Sequence, residues 1–274
     1  MEAFIFGVVQ GIAEFLPISS TAHIIIAQLL FGYSFPGLSF EVILHLGSIL
    51  AVILYFRKDI FHLLQTFFRY IAQRRPQDRP EFFFSIYIIV ATGITGVLGI
   101  FLEDILADSI KTPVFIASAL AATGFFLILI ERFHKVGSRT EKEMTLLDAI
   151  VVGLAQTLAV LPGISRSGST LIAALYAGLD RTTAVRYSFL LSIPVILGSS
   201  VLAIGDLNSG ALAAIGSSAL LVAFIASFVT SWLGIVWLIN FLNKGRLIYF
   251  ALYCFILAIL VVSFLNNGTV VTLG

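Results

Sequence analysis

Little in this chain suits a soluble protein. Cysteine occurs once, at Cys254, which excludes an internal disulfide and a cysteine-built metal centre. That residue lies in an apolar run and reads as a packed core side chain. Charge is sparse: Asp, Glu, Lys and Arg make up 11% of the 274 residues, where soluble domains carry about 25%. A net charge of +1 gives no overall basic field, so nucleic acid is not an expected partner. The opening Met1-Glu2-Ala3 lacks the basic stretch of a cleaved signal peptide, and the first apolar segment is expected to remain in the mature protein. Proline is rare too, with seven residues. Two of them, Pro17 and Pro162, fall inside apolar segments where a helix would otherwise run on.

What the chain holds in abundance is apolar sequence, 59% of the total. A spanning helix needs about 20 such residues, and suitable runs fall at about 39–56, 81–106, 113–130, 184–204, 211–239 and 246–265. Residues 59–72 place apolar side chains at helical spacing, as in a helix that lies at the interface or extends the preceding span. The basic residues set the orientation, because cytoplasmic connections collect Lys and Arg. If 39–56 runs inwards, the cytoplasmic side holds Arg57, Lys58, Arg69, Arg74, Arg75 and Arg79, then Arg132, Lys135, Arg139 and Lys142, then Arg181, Arg186, Lys244 and Arg246. Lys111 alone falls outside, and Arg166 falls within a membrane segment. Glu103, Asp104 and Asp108 read as a solvated outer loop, and Asp148 as solvated near the inner surface.

That orientation requires segments 3–31 and 145–179 to enter and leave on one side. Each is interrupted by a polar break: Leu16-Pro17-Ile18-Ser19-Ser20-Thr21-Ala22-His23 in the first, Leu161-Pro162-Gly163-Ile164-Ser165-Arg166-Ser167-Gly168-Ser169-Thr170 in the second. An arm of ~13 residues reaches only ~20 Å, short of the ~30 Å hydrocarbon core. The expected fold is therefore an all-α polytopic membrane protein with six transmembrane helices and two re-entrant hairpins. Each half, 1–144 and 145–274, has one hairpin followed by three crossings. An odd number of crossings inverts the second half, which is the inverted-topology repeat. Gly11-Ile12-Ala13-Glu14 and Gly153-Leu154-Ala155-Gln156 echo one another ahead of the two breaks. Broken backbone at membrane depth is tolerated only inside protein or around a cavity, so the hairpins should meet at a site.

The side chains at the breaks say what kind of site. Gln10 and Glu14 share one helix face, and a carboxylate in an apolar run is costly unless it serves a function. Ser19, Ser20 and Thr21 precede a helical run; capping explains one hydroxyl, not three. His23 lies three residues after Ser20, and a serine near a histidine and a carboxylate can be an activated nucleophile. In the second break Arg166 offers a planar fork of donors suited to phosphate. Ser165, Ser167 and Thr170 add hydroxyls, Gly163 and Gly168 allow close backbone approach, and both following helices present free N–H groups. Glu41 and His45 are also four apart and are expected to pair with each other, with a supporting place behind the site as the alternative. The list describes an anion site in apolar surroundings, as for a phosphate carried on a lipid.

The run from Gly7 to His23 resembles the first signature of the bacterial undecaprenyl-diphosphate phosphatases of the bacitracin-resistance type. Pro162 to Thr170 resembles the second, and Phe40-Glu41-Val42 with Leu46 to Val52 also fits. Two positions depart from the common pattern: Gln10 is often Glu, and Ala22 is often Gly. The resemblance implies hydrolysis of undecaprenyl diphosphate to undecaprenyl phosphate, which recycles the carrier for peptidoglycan synthesis and confers bacitracin resistance. It implies the bacterial inner membrane as location and leaves a homodimer open; the outward-opening first hairpin places the expected cavity at the outer face. It also implies a divalent cation, Mg2+ or Ca2+, for which Glu14 and Gln10 are the candidate ligands. Ser20 is the expected nucleophile, Glu14 its base or orienter, and Arg166 the stabiliser of phosphoryl charge. Ser19, Thr21, Ser165, Ser167, Gly168 and Thr170 are expected around the phosphate, and His23 as proton carrier or itself the nucleophile. The rival expectation is a polyprenyl-phosphate transporter that uses the same anion site without a nucleophile.

Overall fold

The computed structural model describes residues 1–32, 39–105, 112–133, 137–204, 215–244 and 246–265. Among them the regular structure is helical, apart from one isolated bridge between Arg139 and Leu179. The longer helices are α1 (Glu2–Ala13), α2 (Ser20–Phe31), α3 (Ser39–Tyr55), α4 (Arg57–Gln73), α5 (Arg79–Ile105), α6 (Pro113–Phe133), α7 (Leu146–Thr157), α8 (Arg166–Tyr176), α9 (Arg181–Ile204), α10 (Ser217–Lys244) and α11 (Ile248–Leu265). Both broken segments are helix pairs, α1–α2 and α7–α8, with the prolines between the arms.

Four helices, within α5, α6, α9 and α10, are long and apolar enough to cross a bilayer, and α3 with α4 makes a fifth candidate bent by 71°. The chain is a multi-pass helical membrane protein. The arms α1, α2, α7 and α8 are 11 or 12 residues each. The bend settles how residues 59–72 sit: they turn away from α3 rather than extend it. Phe61, Leu64, Phe68 and Ile71 then form one exposed apolar face on α4.

Local chemistry sets the ends of these elements. Thr145 and Asp148 form a capping box at the start of α7. Asp148 is also buried and takes two hydrogen bonds from Arg139, at 3.0 and 2.6 Å, so it is not the solvated group its position suggests. Arg69 grips Asp78 with two bonds of 2.6 Å and closes the turn from α4 to α5. Arg181 pairs with Glu131 at 3.1 Å, and Arg186 pairs with Asp59 and Glu141. These pairs join three of the segments that the basic residues assign to one side. The acidic loop around Asp108, the Glu103 and Asp104 side chains, Lys111, Lys135 and the Lys244 side chain lie outside what the structure describes.

The hairpins are held by helices from the opposite half of the sequence. Helix α1 runs along α10, and α7 runs along α5. Small residues line both seams, which lets the backbones approach closely. A Cβ on Gly11 would lie 2.0 Å from Thr230 Oγ1 and 2.5 Å from the Ser227 carbonyl, and one on Gly7 would lie 2.5 Å from the Ala223 carbonyl. On the other seam Thr95 donates to the Gly153 carbonyl at 3.2 Å and accepts from Gln156 at 2.8 Å. The serines Ser48, Ser227 and Ser231 link α3 to α10 through bonds of 2.9 and 3.0 Å. Helix α6 lies against α11, and α3 against α9.

Gly11→Ala is expected to force α1 and α10 apart and to lower stability by about 1–3 kcal/mol, the usual cost of overpacking. Gly93→Ala, on exposed helix surface with nothing within 4 Å of its Cβ, should leave the thermal midpoint unchanged or slightly higher. Thermal unfolding of the two variants in the same detergent checks the contrast.

Candidate active site

Glu14 closes α1 and is buried with Gln10 one turn before it. Pro17 lacks an N–H and disfavours helical backbone at Leu16, so the helix stops there. The chain turns through a bond from Ile18 N–H to the Leu16 carbonyl at 2.7 Å. Ser19 then takes φ 67° and ψ 101°, outside the ordinary regions for a side chain with a Cβ, and caps α2 by accepting from Ala22 N–H at 3.4 Å. Such backbone costs about 1–3 kcal/mol and persists only where the surroundings hold it.

The second break is built differently. The helix tightens to a 3₁₀ turn at Leu158–Val160 and is released at Leu161 before Pro162. Gly163 turns with φ 100°, at a point where a Cβ would meet Ala119 at 2.7 Å and the Ile116 carbonyl at 2.8 Å. Ser165 caps α8 by accepting from Gly168 N–H at 3.0 Å. Arg166 is therefore the first residue of α8.

The two breaks meet through side chains. Ser167 Oγ donates to the Leu16 carbonyl at 2.8 Å. Arg166 Nη2 donates to Glu14 Oε1 at 2.7 Å, across 152 residues of sequence. The other carboxylate oxygen, Oε2, accepts from Ser20 Oγ and from Gln10 Nε2, each at 2.7 Å. Glu14 thus bridges a hydroxyl at the start of one half-helix and a guanidinium at the start of the other. The Glu14 side chain is 3% exposed and that of Arg166 is 15% exposed, so the pair lies in a low dielectric where neither charge is tolerable alone. Arg166 also lies 6.0 Å from the centre of the Phe15 ring.

Of the expected site residues, Gln10, Glu14, Ser20 and Arg166 are brought into one constellation. Ser165, Ser167 and Thr170 form its frame. Ser165 and Ser167 share a 3.2 Å contact, and Thr170 bonds Ser188 and the carbonyls of its own helix. Gly168 packs its Cα towards Pro17, where a Cβ would come within 3.4 Å. Thr21 is exposed on the first turn of α2. His23 bonds the first break and α11: its Nδ1 donates to the Ser19 carbonyl at 2.6 Å, and its Nε2 meets Tyr253 OH at 2.8 Å. His45 joins the site instead of pairing with the Glu41 carboxylate. Its Nδ1–H donates to the Glu41 backbone carbonyl at 2.8 Å, and its Nε2 stands 3.6 Å from Glu14 Oε2.

A divalent cation, Mg2+ or Ca2+, would have Glu14 as its carboxylate and Gln10 as an amide ligand. Such ions take oxygen ligands, and Mg2+ commonly keeps one or two carboxylates beside water and substrate phosphate. In this structure both Glu14 oxygens accept from N–H or O–H groups. Among the described residues no group of three or more His, Cys, Asp or Glu is placed to hold one ion.

Residues 3–260 match the model of a family described as bacitracin resistance protein BacA. The chain belongs to the BacA family. Its BacA relatives include an undecaprenyl-diphosphatase 2 from Halalkalibacterium halodurans, 61% identical over 274 residues, covering 100% of this chain and 99% of the relative. An undecaprenyl-diphosphatase 1 from Shouchella clausii is 60% identical over 265 residues, with 96% of each chain covered. An undecaprenyl-diphosphatase 3 from Bacillus anthracis is 38% identical over 265 residues, with 97% of each covered.

The strained cap gives a test that needs no substrate. Ser19→Ala keeps a Cβ at positive φ, as the serine does, and removes the cap, and is expected to destabilise by about 0.5–2 kcal/mol. Ser19→Gly removes the cap but releases the backbone, and should cost clearly less. Chemical or thermal denaturation of both in detergent measures the difference.

Proposed function

We propose that the protein is a membrane phosphatase that cleaves undecaprenyl diphosphate to undecaprenyl phosphate and inorganic phosphate. The reading rests on one observation above all: a single buried carboxylate holds Ser20 on one oxygen and Arg166 on the other. In the reaction Ser20 passes its proton to Glu14 Oε2 as its Oγ bonds the terminal phosphorus. The anhydride bond breaks and undecaprenyl phosphate leaves with the bonding electrons. Water then hydrolyses the phosphoserine, which frees Ser20 and inorganic phosphate. Arg166 moves from Glu14 to the phosphoryl oxygens, where its fork and the N–H groups of α2 and α8 hold the growing charge. Gln10 keeps Glu14 oriented throughout.

The surroundings support a lipid-borne phosphate. A small cavity of about 20 Å³ beside Arg166 is walled by Phe15, Pro17, Phe189 and Leu238. A larger groove of about 350 Å³ runs between α6, α7 and α8, almost wholly apolar and bounded by Ile164 and Ser169 at the second break; it gives the polyprenyl chain a seat. We further propose six crossings, formed by α3, α5, α6, α9, α10 and α11, with α1–α2 and α7–α8 as re-entrant hairpins in two inverted repeats, 1–144 and 145–274. The crossed pairing of α1 with α10 and α7 with α5 supports this arrangement. With the basic loops in the cytoplasm of a bacterial cell, the first hairpin opens outwards and the catalytic cavity is reached from the outer face. Action there recycles the carrier for cell-wall synthesis and underlies bacitracin resistance. A cation arriving with the diphosphate would find Glu14 as its carboxylate.

Purified protein should release inorganic phosphate from undecaprenyl diphosphate. Ser20→Ala and Arg166→Ala should each lower turnover by about 10²-fold or more, the range seen when a stabilising donor is removed. Full turnover by Ser20→Ala would sink the nucleophile assignment and favour a transport role for the same anion site.

A further inference from the structure

Helix α11 touches the first break at two adjacent residues. Tyr253 OH meets His23 Nε2 at 2.8 Å, and the two rings stack with centroids 5.6 Å apart and planes 6° from parallel. Next to it, Cys254 Sγ lies 3.7 Å from the Pro17 carbonyl. The partner of His23 on its other side is the carbonyl of Ser19, at 2.6 Å. A carbonyl only accepts, so Nδ1 carries the proton, and in the neutral ring Nε2 accepts from the tyrosine hydroxyl. A chain of bonds therefore runs from α11 through His23 to the one residue of the break that has a Cβ and positive φ. Ser20, whose hydroxyl rests on Glu14, is the very next residue.

We propose that Tyr253 is a positioning residue for Ser20, acting through His23 and the strained Ser19. The hydroxyl fixes the histidine tautomer and ring plane. The ring then fixes the Ser19 carbonyl, and with it the peptide plane that joins Ser19 to Ser20. That plane sets the direction of Ser20 Oγ and of the first N–H groups of α2. In this account His23 belongs to the frame of the site, and α11 sets the angle at which the nucleophile meets phosphorus. The inference deepens the phosphatase reading above and rests on it for the consequence in turnover, but not for the geometry.

The test uses the full-length protein in lipid nanodiscs with undecaprenyl diphosphate. Tyr253→Phe keeps the ring stack and removes only the hydroxyl. It is expected to lower kcat by about three- to tenfold, as for one lost hydrogen bond, with KM changed by less than about twofold. The ¹⁵N resonances of the His23 ring and the backbone amide of Ser20 should both shift. Tyr249→Phe, exposed one turn earlier on α11, should leave all three readouts as in the unaltered protein. Wild-type kcat together with an unmoved Ser20 amide in Tyr253→Phe would overturn the proposal. Should the unaltered protein release no phosphate, the phosphatase reading fails, and the Ser20 amide alone decides: its shift in Tyr253→Phe supports the positioning role, its constancy refutes it.

Discussion

The ion pair between Glu14 and Arg166 is the interaction on which the rest of the structure turns. Each charge sits in apolar surroundings at the end of a half-helix, and each needs the other to remain there. Removing a charge from water costs several kcal/mol even after relaxation. An isolated carboxylate in such surroundings would not persist, nor would an isolated guanidinium. Their pairing makes it favourable for two hairpins, far apart in sequence, to bring their breaks together. In the mechanism proposed above it also holds in readiness an acceptor for the serine proton and a donor for the phosphoryl oxygens.

The remaining architecture keeps that pair in register. Breaking a helix inside a membrane exposes backbone groups that lipid cannot satisfy, and here they find partners. Ser19 and Ser165 cap the outgoing arms, Ser167 reaches the Leu16 carbonyl, and Cys254 lies against the Pro17 carbonyl. The glycine seams on α1 and α7 let the neighbouring spans come close enough to clamp the incoming arms. Within the two breaks, positive φ on a residue with a Cβ falls at Ser19, where bonds on both sides hold it.

Much of this was legible in the chain itself. The helix boundaries follow the apolar runs closely, because length and hydropathy dominate in lipid. The breaks announce themselves through Pro17, Pro162 and the serines around them. The partners were less legible, because contacts across 150 to 230 residues leave no periodic trace. Arg166 reads as a phosphate ligand, and nothing local shows that Glu14 occupies it first. His45 lies one turn from Glu41, which suggests a side-chain pair; the ring instead bonds the backbone and faces α1. His23 lies three residues from Ser20, yet the first turn of α2 sits in a corner where those positions see different helices. Tyr253 had no signal at all, being one aromatic residue in an apolar span. Asp148 looked solvated because its partner, Arg139, lies in a loop nine residues earlier.

The crossed seating of the hairpins bears on how the protein is made. Ribosomes add about 5–20 residues each second, and about 200 residues separate α1 from the helix it lies against. For roughly 8–30 s after it emerges the first hairpin lacks the guanidinium that neutralises Glu14, and for roughly 10–40 s it lacks the groove of α10. Assembly of the two halves is therefore a late event, completed only near the end of translation. During that interval the nascent chain must shelter a polar loop by other means, through the insertion machinery or at the water interface. Intermediates truncated before Ser217 should accordingly be clients of cellular quality control rather than half-sized versions of the finished molecule.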